Sequence, residues 1–255
     1  MPDWYLYLLA GILGALIGSF LNVCIYRLPA NESVVSPGSH CPECDMPIGW
    51  RDNIPIVSYL ILRGRCRNCG IGISPQYPLI ELVTSLLWIA AVVRYGAAWQ
   101  ALGTAVFFTL LLGIALTDAR TYIIPDEFSL GGLVVGLVMA FAPGGLTFLE
   151  AVLGAATGFG FLFLAGALGE WWMKKPAMGG GDIKMMAMVG AFLGPIGALL
   201  TIFLGAVVGT VIFLPISLRT KKLVPFGIFL AIGAAVTEAF GDVIVAWYSA
   251  TFLVG

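Results

Sequence analysis

The chain has 255 residues, 60% of them hydrophobic and 11% charged, with 33 glycines and a formal net charge of −1. That composition excludes a soluble globular domain and describes a polytopic membrane protein. Bulk charge singles out no partner, nucleic acid is not expected as one, and a single histidine, His40, argues against histidine-base catalysis or a histidine-rich metal centre.

Residues 4–25 form the first apolar run, long enough to span a bilayer and lacking the basic leader of a cleavable signal. Tyr26 and Arg27 are interfacial anchors, and Pro29 stops the helix. Asn22 reads as glue between helices or as part of a site, and Cys24 as a small buried hydrophobe. Residues 30–78 are the only long polar segment. They hold Cys41-Pro42-Glu43-Cys44 and Cys66-Arg67-Asn68-Cys69, separated by 21 residues. Paired C-x-x-C knuckles at this spacing predict a tetrahedral four-thiolate zinc site. Such a site lets a segment of roughly 50 residues fold without a large core of its own. Two disulfides are the alternative, and they need an oxidising compartment. His40 abuts Cys41 and is a possible substitute ligand.

The second span is expected over 77–93, with Glu81 near its start either at the interface or facing a polar site. A third over 98–117 runs directly into Asp118. A short fourth follows over 128–142 and a fifth over 148–168, after which Trp171, Trp172, Lys174 and Lys175 form an interfacial belt. Residues 185–216 are too long for one crossing at about 1.5 Å per residue against a core of about 30 Å. Gly194-Pro195 is expected to divide them into a short arm ending at 193 and a full span from 196. The last apolar segment starts at 225. Glu238, Gly241 and Asp242 are expected to mark its exit from the membrane, with 243–254 lying along the interface. Gly14/Gly18, Gly132/Gly136, Gly154/Gly158, Gly190/Gly194 and Gly205/Gly209 suit close helix packing.

The stretch Met178-Gly179-Gly180-Gly181-Asp182-Ile183-Lys184 sets a carboxylate after three glycines at the mouth of an apolar segment. An ionisable group so close to hydrocarbon is costly, which makes it a functional-site candidate. Read alone, Asp182 fits a helix N-cap equally well. With the N-terminus outside and eight spans, twelve of the thirteen Lys and Arg residues fall inside and only Arg94 outside. Two spans separate Asp118 from Asp182, so both are expected at one cytoplasmic rim. The cysteine module then also faces the cytoplasm, where thiols stay reduced and zinc is favoured over disulfides. Two carboxylates close together in a low dielectric share a proton. They then provide a general base and a general acid around one water, which suits peptide-bond hydrolysis. The alternative is that each aspartate caps a helix or pairs with Arg120 or Lys184.

These residues resemble the bacterial type IV prepilin peptidases, which are bifunctional leader peptidase/N-methyltransferases of the G-x-G-D aspartic class. The likeness covers almost the whole chain. It rests on Gly179-Gly180-Gly181-Asp182, on Asp118 followed by Pro125-Asp126, and on Gly18-Ser19-Phe20-Leu21-Asn22 through Tyr26-Arg27-Leu28-Pro29. The knuckles with Trp50, Asn53-Ile54-Pro55, Ser58-Tyr59, Gly64-Arg65, Tyr77-Pro78 and Glu81 complete it. The resemblance implies an all-α membrane protein of about eight transmembrane helices, with a small cytoplasmic zinc module inserted after the first. It implies a first helix over 1–29, a methyltransferase-associated module over 30–78 and a multi-span peptidase domain over 79–255. Asp118 and Asp182 would be the catalytic dyad, supported by Gly179, Gly180, Gly181 and Lys184. Cys41, Cys44, Cys66 and Cys69 would hold structural zinc, and Gly64, Arg65 and Glu81 would serve the S-adenosylmethionine site.

The implied substrates are prepilins or pseudopilins of pilus assembly or type II secretion, each with a basic leader and an apolar helix, met at the bacterial inner membrane. Cleavage would follow a glycine, and the new N-terminus would be methylated. No Rossmann-type glycine fingerprint is present for the methyl donor. A presenilin-like protease without methyl transfer is an alternative, since it shares G-x-G-D. A transporter using Asp118, Asp182 and Glu238, or a non-enzymatic assembly subunit, are others.

Overall fold

The computed structural model describes residues 4–175, 177–220 and 225–253, without the side chains of 213–220 and 253. Of the expected basic cluster, Lys221, Lys222 and the side chain of Arg219 therefore lie outside the described residues, as does Val254 of the expected tail. The fold is all-helical. Its α-helices are α1 (Trp4–Arg27), α2 (Val57–Ile61), α3 (Gln76–Tyr95), α4 (Trp99–Thr121), α5 (Asp126–Met139), α6 (Phe148–Met173), α7 (Gly180–Thr220) and α8 (Phe226–Tyr248). Among the described residues, six stretches are long and apolar enough to cross a membrane: Trp4–Ala30, Gln76–Tyr95, Trp99–Thr121, Phe148–Met173, Gly180–Ile212 and Phe226–Phe252. The chain is a multi-pass membrane protein. Six differs from the expected eight for two reasons. Helix α5 has 14 residues, about 21 Å of rise and short of a bilayer core. The stretch from Gly180 is one run by composition, although it is not one straight helix.

That run breaks at Gly194, which has φ 70° and ψ −177°, a conformation only glycine adopts without strain. On one side of the break, Gly181, Met186 and Gly190 lie against Ile124, Gly158 and Gly154 in turn. On the other, Gly197, Thr201, Gly205 and Gly209 meet Thr237, Gly233, Leu230 and Phe229, so this arm runs towards the start of α8. Gly227 near that start also touches Ile124. The chain therefore leaves the level of Ile124, turns at Gly194-Pro195 and comes back, as the sequence predicts.

Three boundaries differ from expectation. Helix α4 continues to Thr121, so Asp118 lies inside its last turn. Helix α6 continues to Met173 and takes in Trp171 and Trp172. Helix α8 runs unbroken through Glu238, Gly241 and Asp242, followed by a π-helical turn over Ser249–Leu253. Gly241 packs against Thr237 and Leu200 while Asp242 is exposed, so the charge sits on an outer face and does not end the helix.

The chain divides into two compact units, Met1–Thr109 and Leu110–Gly255. In the first, α1 lies directly on α3: a Cβ at Gly14 or Gly18 would come within 2.8 Å of the Cα of Ser85 or Glu81. Asn22 Nδ2 donates to the carbonyls of Gly18 (3.2 Å) and Tyr77 (3.1 Å), the helix glue expected of it. Ala10, Trp88, Ala91 and Ala105 form a buried cluster beside this contact. In the second unit, Gly154 and Gly190 bring the backbones of α6 and α7 together with no side chain between, and Gly132 and Gly136 receive Met188, Ala191 and Phe192. Each of the expected small-residue pairs thus marks a helix contact.

Candidate active site and metal centre

Helix α4 delivers Asp118, and the connector over 122–125 passes Ile124 before Pro125 caps α5. Asp118 is buried, 5% exposed, and its Oδ2 accepts from the backbone N–H of Ile228 at 3.2 Å, with Gly227 N–H as a further donor. The carboxylate thus sits on the N-terminus of α8, where free N–H groups and the helix dipole favour an anion. Asp182 is the third residue of α7 and accepts from Gly179 N–H, so it does cap its own helix. It is half-buried, and close enough to Asp118 for the two charges to act on each other. Ile124 packs on the glycine beside each of them: the faces of Gly181 and Gly227 both meet its side chain, at 3.0 and 2.9 Å from where their Cβ atoms would be.

The three glycines before Asp182 do different things. Gly181 makes room for Ile124, Gly179 faces the Asp182 carboxylate, and Gly180 faces open space. Lys184 Nζ is bound to both oxygens of Asp126, at 2.7 and 2.9 Å, and so ties the start of α7 to the start of α5. Its charge is engaged by the second half of the other motif, not by Asp182. Sequence reasoning missed Gly227. A Cβ there would lie 2.8 Å from Asp118 Oδ2, and the available signal was a Pro225-Phe226-Gly227 helix start after a basic run.

In the first unit, the sulfur atoms of Cys41, Cys44, Cys66 and Cys69 lie within 4.8 Å of one another, and none forms a disulfide. Cys41 and Cys69 are 3.8 Å apart. Four thiolates about 2.3 Å from one zinc ion would be separated by about 3.8 Å, so the set fits a tetrahedral ion. The two knuckles repeat one another. His40 pairs with Pro47 and Arg65 with Gly72. Cys41 N–H and Cys66 N–H donate to Met46 and Ile71, and Asp45 and Gly70 both take positive φ. His40, the expected substitute ligand, lies outside the gathered set: its Nδ1 meets the Gly38 carbonyl at 3.1 Å and its Nε2 lies 4.0 Å from Asp45 Oδ1.

The thiols are unequal before a metal binds. Backbone N–H groups of Cys69 and Asn68 bring Cys66 down to about 6, and the Asn68 side chain lowers Cys44. Cys69 is pushed up to about 12: the Ile71 N–H lowers it, but desolvation and the three neighbouring thiols outweigh that donor. The backbone and Asn68 donors thus favour the thiolate at Cys66 and Cys44, the form a cation binds.

Of the residues expected at the methyl-donor site, Gly64 and Arg65 lie beside the second knuckle. Gly64 has φ +66°, its carbonyl accepts from Ile73 N–H at 2.7 Å, and the Tyr59 ring occupies the place of a side chain. Arg65 is exposed. Glu81 is buried, 8% exposed, and accepts from Ile56 N–H at 2.7 Å, with the Ser19 hydroxyl as another partner. An open cleft of about 440 Å³ is lined by Gly49, Trp50, Arg51, Asp52 and Arg67. In it the Arg51 guanidinium sits 5.2 Å from the Trp50 ring centre, and Arg67 grips Asp52 with two bonds of 2.6 and 2.7 Å.

Two family descriptions match the chain. Residues 12–95 match the Bacterial Peptidase A24 N-terminal domain, and residues 105–214 match the Type IV leader peptidase family. A protein of Neisseria gonorrhoeae named prepilin leader peptidase/N-methyltransferase is 35% identical over 92% of this chain and 90% of its own length. One of the same name from Aeromonas hydrophila is 34% identical over 98% of this chain and 96% of its own. A third, from Myxococcus xanthus, is 40% identical over 80% of this chain but 62% of its own length, so the match spans less than two thirds of that protein. No solved structure gives a significant match. The chain belongs to the type IV leader peptidase family.

Proposed function

We propose that this protein cleaves the short basic leader of type IV prepilins or pseudopilins after a glycine and then methylates the new N-terminal residue with S-adenosylmethionine. What supports the reading is that Asp118 and Asp182 lie within electrostatic reach of one another, with Gly181 beside one and Gly227 beside the other both packed on Ile124, in a chain of this family. One carboxylate takes a proton from the attacking water while the other, protonated, donates to the scissile carbonyl oxygen; as the tetrahedral intermediate collapses, the first gives its proton to the leaving amine and the second takes its own back from the gem-diol. Asp118 is held by the N–H groups that open α8 and Asp182 by Gly179, so neither has to be ordered during the reaction. The open face of Gly180 leaves room for an extended substrate strand, and the glycine before the scissile bond helps that strand unwind.

The proposal extends to topology. Helix α5 and the two arms of α7 each cross or nearly cross the bilayer, which makes eight helices in all. Residues 1–29 are the first crossing, 30–78 the zinc module and 79–255 the peptidase domain. The Lys/Arg distribution assigns the module and the aspartates to the cytoplasmic side of the inner membrane. Cys41, Cys44, Cys66 and Cys69 would hold zinc in a structural role. S-adenosylmethionine, when bound, supplies the methyl group. The groups this chain offers it are Gly64, Arg65 and the adjoining cleft of Trp50 and Arg51, with Glu81 behind them. A partly desolvated pocket there would keep the substrate amine neutral and nucleophilic.

Purified protein incubated with a prepilin-like peptide, with and without S-adenosylmethionine, tests both halves by mass spectrometry. The proposal expects cleavage in both samples and a single added methyl mass only with the donor. An intact peptide would refute the protease reading. A cleaved but unmethylated product would leave the presenilin-like alternative.

A further inference from the structure

Residues 55–57 adopt a backbone that their sequence disfavours. Ile56 has φ 62° and ψ −50°, and Val57 N–H donates to the Pro55 carbonyl at 2.6 Å. This is the γ-turn of the strained hand, near φ +75° and ψ −65°, and it is centred on a β-branched residue. Glycine would take this conformation freely, yet the chain places isoleucine there. Its carbonyl accepts from Leu60 N–H at 3.1 Å, and its N–H has a carboxylate partner. The Ile56 N–H points at the buried Glu81 carboxylate, 2.7 Å away, on the first turns of α3. Glu81 is itself set by close packing, since a Cβ at Gly18 of α1 would touch its Cα at 2.8 Å.

From this turn a continuous set of contacts leads to the second knuckle. Ser58, 5% exposed, accepts from Ile54 N–H and donates to the Arg51 carbonyl, both at 2.9 Å. Helix α2 follows and is closed by Gly64 N–H on the Tyr59 carbonyl at 2.9 Å, and the Gly64 carbonyl receives Ile73 N–H. Arg51 on one side of α2 and Arg65 on the other are thus placed by one strained turn.

We propose that Glu81 is a positioning residue for methyl transfer: its carboxylate, carried by a membrane helix, holds the Pro55-Ile56-Val57 turn and thereby sets the Arg51 and Gly64-Arg65 segments. It touches neither methyl donor nor amine. The inference rests on the proposed methyl transfer for its activity readout, and amide exchange at Ile56 tests the anchor independently.

The test uses the full chain, a pre-cleaved peptide with a free N-terminus, and S-adenosylmethionine. Leader cleavage on a separate uncut peptide reports correct insertion. Glu81→Ala should lower methyl transfer about 10- to 100-fold, as loss of a hydrogen bond to a charged group implies, and should speed exchange of the Ile56 amide. Adding Ile56→Gly should restore at least fivefold of that loss, because glycine takes the turn without an anchor. Glu81→Gln, which keeps an acceptor oxygen, should fall between wild type and Glu81→Ala and serves where alanine prevents folding. Failure of Ile56→Gly to rescue would overturn the inference and place Glu81 on the reactants themselves. Unchanged exchange at Ile56 in Glu81→Ala would overturn it too. A wild-type enzyme that transfers no methyl group would instead sink the proposed second activity, while the exchange result still decides whether Glu81 anchors the turn.

Discussion

Gly227→Ala perturbs the aspartate pair without touching either aspartate. The new Cβ would stand 2.8 Å from Asp118 Oδ2 and 2.9 Å from Ile124 Cδ1, where ordinary contact begins at 3.4 Å. The carboxylate, or the start of α8, must therefore move by about 0.6 Å, and Ile124 cannot yield freely because it already packs on Gly181, where an added Cβ would stand 3.0 Å from it. Misplacing a catalytic group by about 1 Å costs on the order of 100-fold, so leader cleavage should fall roughly 10- to 100-fold. The loss should appear mainly in kcat, because the change lies at the reacting groups and not along the substrate helix. Gly131→Ala, whose Cβ meets nothing within 4 Å, is the matched control and should change the rate less than about twofold. The assay is cleavage of a prepilin-like peptide by purified variants of equal thermal stability. A Gly227→Ala enzyme as fast as wild type would refute the claim that the start of α8 fixes Asp118.

Other expectations are equally direct. Changing any of Cys41, Cys44, Cys66 or Cys69 to serine should lower zinc measured by elemental analysis well below one ion per chain and abolish methyl transfer; full zinc content in such a variant would contradict the four-thiolate assignment. Lys184→Met or Asp126→Asn breaks an ion pair whose side chains are 39% and 55% exposed, so stability should fall by only about 0–1 kcal/mol. Cleavage should nevertheless drop about three- to tenfold in each, with the double variant no slower than the singles, as expected when one contact is removed twice. Additive losses would show that the two residues act separately. Gly194→Ala forces a side chain onto φ 70° and ψ −177°, a region essentially confined to glycine, and should cost about 1–3 kcal/mol of stability, read as a lower unfolding midpoint in detergent; an unchanged midpoint would contradict the sharp turn between the arms of α7.

Much of this was legible in the residues because the signals were local and chemical. Two C-x-x-C pairs named their ligand set, and the structure gathers those four sulfurs. Gly194-Pro195 announced a break in a run too long for one crossing, and the small-residue pairs announced where helices touch. What escaped was whatever depends on a partner distant in sequence. Nothing near Asp118 says that its carboxylate will meet Gly227 and Ile228, about a hundred residues on. Lys184 and Asp126 lie 58 positions apart, and only the packing of α5 on α7 joins them. The glycines at 179–181 are one unbroken run in the sequence, yet Gly181 packs on Ile124, Gly179 faces the Asp182 carboxylate and Gly180 faces open space. At α8 the acidic residues do not coincide with a helix end, because the helix runs on through the exposed Asp242 to Tyr248. Backbone strain at Ile56 leaves no trace in composition or periodicity at all.

The most direct test concerns Asp118 and Asp182 themselves. Each is replaced by asparagine, which preserves shape and a carbonyl acceptor but removes the shared proton, and leader cleavage is followed by mass spectrometry in reconstituted membranes. The account predicts that Asp118→Asn and Asp182→Asn each lose cleavage completely while inserting normally and still methylating a pre-cleaved peptide. Cleavage retained by either variant would contradict it.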